Sequence, residues 1–156
     1  MFWKEEEKQE ITKICKDRFR RRKTVSKVFG YPKFDEYGEM ILTTYDNDYK
    51  AMMMDIRVYS MKAGYSRTFK RAGEEIAVLL LSGKVTYTWE NEKTTVSRKD
   101  VFTEGPWALH VSGGKEIIVT AEEESEILVQ CTHNDKTFAS RLYSPDDAPW
   151  GYSSVG

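Results

Sequence analysis

The chain has 156 residues and a mass of 18.1 kDa, the size of one ordinary domain and enough to bury a core of its own. Hydrophobic residues make up 40% and aromatics 13%, which excludes a disordered chain, and 24 basic against 25 acidic residues leave a net charge of -1, without the basic excess of a general nucleic-acid binder. No apolar run is long enough to span a membrane, the acidic start of the chain is no secretory signal, and two cysteines, Cys15 and Cys131, make no disulfide framework; the expectation is a cytoplasmic protein with reduced thiols.

In chain order, residues 3–23 contain no Gly or Pro, and Ile11, Ile14, Cys15 and Phe19 fall at helical spacing. Glu5, Glu6 and Glu7 stand at the start and Arg20, Arg21, Arg22 and Lys23 at the end, an order that suits a helix macrodipole. A helical extension is expected over 1–36. From Tyr37 the pattern changes to period two. Met40, Leu42 and Thr44 form one alternating set, and Met52, Met54, Ile56 and Val58 form another against Met53, Asp55, Arg57 and Tyr59. The apolar set is expected to face the core.

Further strands are expected over 66–70, 75–81, 84–89, 93–97, 100–103, 108–112, 116–121 and 126–132, with turns at Ser82-Gly83, Asn91-Glu92 and Gly113-Gly114. The residues from Tyr143 on, with Pro145, Pro149, Gly151 and Gly156, are expected as a loop tail. With no crossover helix available, the fold class is all-β and antiparallel, a sandwich or a jelly-roll barrel over 37–142. The expected buried set is Met54, Ile56, Val58, Ile76, Val78, Leu80, Val85, Tyr87, Leu109, Val111, Ile118, Leu128 and Val129.

Only two histidines occur, His110 and His133, apart from each other and from both cysteines, so a His/Cys transition-metal site lacks its ligands. No metal or other cofactor is expected. The polar groups Arg67, Lys70, Arg71, Glu74 and Glu75 fall near the expected barrel mouth. Arg67 and Lys70 are candidates to hold a carboxylate, because guanidinium forks match its geometry, and Glu75 is a candidate base. An ordinary charged loop between strands accounts for the same residues. Trp107 is a candidate to stack on a sugar ring or to plug the rim. His110 alternates with Val111 on one strand; with Val111 inward beside Leu109, His110 faces out, unless a bulge reverses them.

The stretch from Gly64 through Lys70, Ala72, Glu75 and Ile76 to Gly83, followed by Pro106, His110 and Val111, resembles a cupin, a small jelly-roll barrel. Lys70 and Ala72 stand where cupins carry the two histidines of the first motif, and Val111 stands at the histidine of the second. Residues 77–85 (AVLLLSGKV), 103–114 (TEGPWALHVSGG), 141–147 (RLYSPDD) and 154–156 (SVG) are similar to the N-terminal cupin half of the 5-deoxy-glucuronate isomerase family, related to the 5-keto-4-deoxyuronate isomerases. That resemblance implies a domain of inositol or uronate catabolism in which the metal ligands belong to the other cupin half. Its catalytic residues have no positions here to be carried onto. The alternative is a non-catalytic cupin that binds a small acid or self-associates. The expected partners are a small sugar acid and a second copy or a partner cupin domain, with neither nucleic acid nor membrane. The aromatic surplus of Tyr31, Phe34, Tyr37, Tyr45 and Tyr59 suggests a homodimer interface.

Overall fold

The computed structural model describes residues 32–147. The chain divides between Pro32 and Lys33, and everything below concerns the second unit. The helix expected over 3–23, with Cys15, lies outside the described residues. The described part is all β apart from one 3-10 turn, Lys50–Met52. Nine strands follow in order: β1 Glu39–Thr43, β2 Asp55–Met61, β3 Ser66–Lys70, β4 Glu74–Trp89, β5 Glu92–Arg98, β6 Trp107–Val111, β7 Glu116–Ala121, β8 Ser125–His133 and β9 Arg141–Tyr143. All pairings are antiparallel.

β4 organises the fold. Its first half lies between β8 and β6 in a sheet ordered β1-β2-β8-β4-β6-β9. Its second half lies between β7 and β5, with β3 beyond β7. The turn expected at Ser82-Gly83 is therefore not a turn. The register slips between Leu80 and Ser82, and the strand bends there from one sheet into the other. Gly83 permits the bend: its φ is +97°, and an added Cβ would stand 2.5 Å from the Glu124 carbonyl oxygen. A hairpin at this point would have folded Val85, Tyr87 and Trp89 back onto Ile76–Leu80; the bulge sends them on into the facing sheet.

The expected closed barrel is corrected: the sheet does not close. β1 and β9 bound one side and β3 and β5 the other. Across the gap between β3 and the β1–β2 hairpin there is no backbone ladder. The Arg67 side chain spans it instead, donating to the Tyr37 carbonyl and lying 4.5 Å over the Tyr59 ring.

The two inner faces form one core around Ile76, Val78, Leu80, Tyr87, Leu109, Val111, Ile117 and Val119, all fully buried. Val58, Val85 and Val129 are buried as expected. Met54, Ile56, Ile118 and Leu128 are only half-buried. Ile118 and Leu128 alternate with inward-facing neighbours on the same strands, Ile117 and Val119 on β7 and Ile127 and Val129 on β8. On β2 the phase is opposite to expectation. Tyr59 and Met61 join the core, so Asp55 and Arg57 share the inward face, while Ile56 and Val58 lie on the other. Residues 100–103 are a turn, not a strand: Asp100 Oδ1 accepts from Phe102 N, Thr103 N and Thr103 Oγ1. Arg141–Tyr143, at the edge of the expected tail, is a strand paired with β6.

Candidate functional site

Three inward rows cross the larger sheet, each starting on β2 and continuing through β8, β4 and β6. They run Asp55–Cys131–Ile76–Val111, Arg57–Val129–Val78–Leu109 and Tyr59–Ile127–Leu80–Trp107. Each begins with a polar side chain and becomes apolar at once. The interior is thus filled hydrocarbon, with a charged cluster along the β2 side.

In that cluster Asp55 is almost fully buried, its side chain 6% exposed. It accepts from Arg57 Nε at 2.7 Å and Arg57 NH2 at 3.0 Å, a bidentate fork, and from Arg71 NH2 at 3.1 Å. Arg57 NH1 also donates to Glu39 Oε1 at 2.6 Å, as does the Tyr59 hydroxyl at 3.2 Å. Arg71 lies 3.9 Å from Glu74 Oε2, and the Tyr45 hydroxyl donates to Glu74 and to the Cys131 carbonyl. Three carboxylates are therefore met by two guanidiniums and two phenols. The bond to Asp55, opposed by burial, holds the Arg57 guanidinium well above its usual range. Burial, reinforced by Glu74, pushes the Tyr45 phenol up to about 12; burial, reinforced by Glu39, does the same for Tyr59. Burial raises the Cys131 thiol to about 11, which leaves it an inert small hydrophobe.

A metal does not fit this interior. Val111, at the place of the second-motif histidine, is fully buried between Ile76 and Leu109. Lys70 is exposed on the outer face of β3, and Ala72 offers a methyl group. The nearest carboxylates, Glu39 and Asp55, are already paired with arginine guanidiniums, which stand where a metal ion would have to be. Among the described residues no group of three or more His, Cys, Asp or Glu is gathered as a metal requires.

The five candidate residues separate into distinct places. Arg67 faces inward over Tyr59 and lines a groove of about 730 Å3 with Phe34, Tyr37, Tyr65, Lys62 and Glu39. Lys70, three residues on, faces the opposite way, so the two cations do not converge on one carboxylate. Trp107 packs on the core at the far end of the Tyr59 row, three strand spacings away, about 14 Å. Glu75 and His110 do meet: Glu75 Oε2 is 3.6 Å from His110 Nε2 and accepts from Asn134 Nδ2 at 2.6 Å. They lie on the outer face of the sheet, behind the buried Ile76 and Val111. The residues missed in the sequence are Asp55, Arg57 and Glu39. A signal exists in Asp55-Ile56-Arg57: opposite charges two apart on a strand share a face and can pair there.

Residues 30–151, more than three quarters of the sequence, match the KduI/IolB family. The chain belongs to this family. No curated protein sequence matches this KduI/IolB domain. Among solved structures it is similar to an IolB-like protein from Salmonella typhimurium LT2, with a TM-score of 0.64 and 20% identity over 72% of this chain and 44% of that one. It is also similar to the protein Ylba from E. coli, with a TM-score of 0.54 and 16% identity over 74% of this chain and 48% of that one. A cupin superfamily protein from Desulfitobacterium hafniense DCB-2 aligns with a TM-score of 0.48 and 18% identity, covering 62% of this chain and 76% of that one. The KduI/IolB domain spans less than half the length of the first two proteins. Among its described residues no helix is long and apolar enough to cross a membrane.

Proposed function

We propose that this chain is a cytoplasmic cupin domain of sugar-acid metabolism that acts as a metal-free unit beside an isomerising centre, not as that centre. The observation that carries the reading is the interior. Aldose–ketose isomerisation needs a base and an electrophile converging on one substrate. Here the inward positions beyond β2 and β3 are mostly hydrocarbon, and the buried carboxylate of Asp55 is engaged by two arginines. The test is metal analysis of the purified chain together with turnover of a uronate with added zinc or manganese and with chelator. The expected result is no stoichiometric metal and no turnover. Chelator-sensitive isomerisation would overturn the reading.

One observation favours a second role, binding of a sugar acid in the Arg67 groove. Tyr37 and Tyr65 are largely exposed on its walls, and Lys62 and Arg67 supply cations beside the carboxylates of Asp35, Glu36, Glu39 and Glu124, of which Asp35 is engaged by backbone N–H groups and Glu39 by Arg57. Aromatic faces suit the C–H face of a sugar, and a guanidinium suits its carboxylate. Arg67→Ala should abolish saturable binding of glucuronate measured by calorimetry. Unchanged affinity would remove this role.

A further inference from the structure

The outer face of the larger sheet is apolar along most of its width. Met40, Val58, Leu128, Leu79 and Ala108 fall in one cross-strand row over five strands and reach Tyr143 on the sixth. The next row runs Ile56, Gln130, Ala77, His110. Where the rows meet, the two smallest side chains, Ala77 and Ala108, stand diagonally across the β4–β6 pairing and leave a depression. The side chains around it are long and polar. The result is a cleft of about 290 Å3 lined by Glu75, Ala77, Ala108, His110, Gln130, Thr132 and Tyr143.

The parts of the cleft are held in place. Asn134 fixes the Glu75 carboxylate through Oε2. Phe138 lies against the His110 ring, with centroids 4.6 Å apart. The Thr132 hydroxyl donates to the Met53 carbonyl, which leaves its oxygen free to accept. Arg141 lies over the Tyr143 ring, and its charge is directed to Asp147 at 2.8 Å. Among the described residues no Lys or Arg lines the cavity, and the one carboxylate is Glu75. An anion would meet a like charge without a compensating fork. His110, Gln130 and Tyr143 can each both donate and accept, Glu75 and Thr132 accept, and the floor is two methyl groups. That set matches a ring with hydroxyls around its edge and C–H bonds on its face.

We propose that this cleft is a binding site for a neutral polyhydroxyl compound of monosaccharide size, separate from the Arg67 groove and without its preference for an acid. The site rests on the outer-face geometry alone and stands whether or not the groove binds an acid.

The test is an NMR titration of the full chain with three sugars of one ring shape: glucose, glucuronate and glucosamine. The reporters are the methyl groups of Ala77 and Ala108 and the His110 ring, with the Tyr37 and Arg67 signals reporting the groove. Glucose should shift the cleft reporters saturably, with glucuronate at least about tenfold weaker there, the equivalent of about 1.4 kcal/mol. Ala77→Leu, which fills an outward-facing depression, should abolish the glucose response. Should that variant fail to fold, Glu75→Gln carries the test: it should narrow the gap between glucuronate and glucose at the cleft. Equal or tighter binding of glucuronate in the wild type, tighter binding of glucosamine than of glucose, or no saturable cleft response to glucose would each overturn the proposal. Glucuronate shifts confined to Tyr37 and Arg67 bear on the groove and leave the glucose result at the cleft to decide this site.

Discussion

Replacing Asp55 by alanine should be among the most damaging single changes in this domain. The carboxylate is almost fully buried and takes three hydrogen bonds from two arginines. Removing one partner of a fully buried ion pair costs about 3–5 kcal/mol, because the remaining charge is left without compensation. Two features reduce that here. The Arg57 side chain is 25% exposed and keeps Glu39, and that of Arg71 is 40% exposed and can turn to water. The expected loss is about 2–3 kcal/mol, with about half of it for Asp55→Asn, which keeps the shape and one acceptor. Urea unfolding followed by tryptophan fluorescence reads the difference. Replacing Asp55 and Arg57 together by leucine should recover part of the loss, since an apolar pair fills the same space without desolvated charge. A loss below about 0.5 kcal/mol for Asp55→Ala would refute the reasoning, because it would mean that the cluster is solvated and not part of the filled interior.

Gly83→Ala should destabilise by more than about 2 kcal/mol, a left-handed backbone penalty plus a contact with the Glu124 carbonyl, and a melting temperature within a degree of wild type would remove this account of the bend. In a spectrophotometric alkaline titration Tyr45 and Tyr59 should ionise only near pH 12. Their folded pKa values lie above the unfolded value of about 10, so the stability they contribute is complete below pH 10 and is lost as pH rises toward 12; ionisation of every phenol near pH 10 in the folded protein would contradict their burial. Of the expected aromatic surplus, Tyr59 is taken by the core and Tyr45 by Glu74 and His133, Tyr31 lies outside the described residues, and Phe34 and Tyr37 are exposed; sedimentation should give a dimer mass in the micromolar range that falls toward monomer in Tyr37→Asp, and a monomer throughout would remove the argument.

Much of the fold is legible in the sequence because the strands carry their period openly. Residues 76–81 are a continuous apolar run that reads as a central strand, in which the structure buries Ile76, Val78 and Leu80 in alternation, and Leu109 and Val111 flank His110 and place it outside. The phase of β2 is not legible by the same rule. Its more apolar side faces away from the core, because Asp55 and Arg57 find Glu39 and Arg71 inside, and period two carries no information about distant charges. Val101 and Phe102 gave 100–103 the look of a strand. The Asp100 side chain, which caps three donors of its own turn, overrules it. The Ser82-Gly83 pair was ambiguous in kind: glycine with positive φ serves a turn and a bulge alike, and only the pairing of both halves of β4 distinguishes them. For the candidate site, Glu75 and His110 are recognisable as polar residues, but their meeting depends on the β4–β6 register. Arg67 and Lys70 look like a pair in sequence and are separated by strand alternation alone.

β4 also bears on how the domain comes apart. A sandwich of two independent sheets can open like a book, each leaf keeping its own hydrogen bonds. Here one uninterrupted strand is the middle of both leaves, with β8 and β6 beside its first half and β7 and β5 beside its second. Neither leaf can separate without pulling a central strand from the other. Backbone amides on both halves of β4 should therefore exchange with solvent only through the same global opening, while the edge strands β1 and β9 fray by themselves. The bend at Gly83 makes two layers into one cooperative unit.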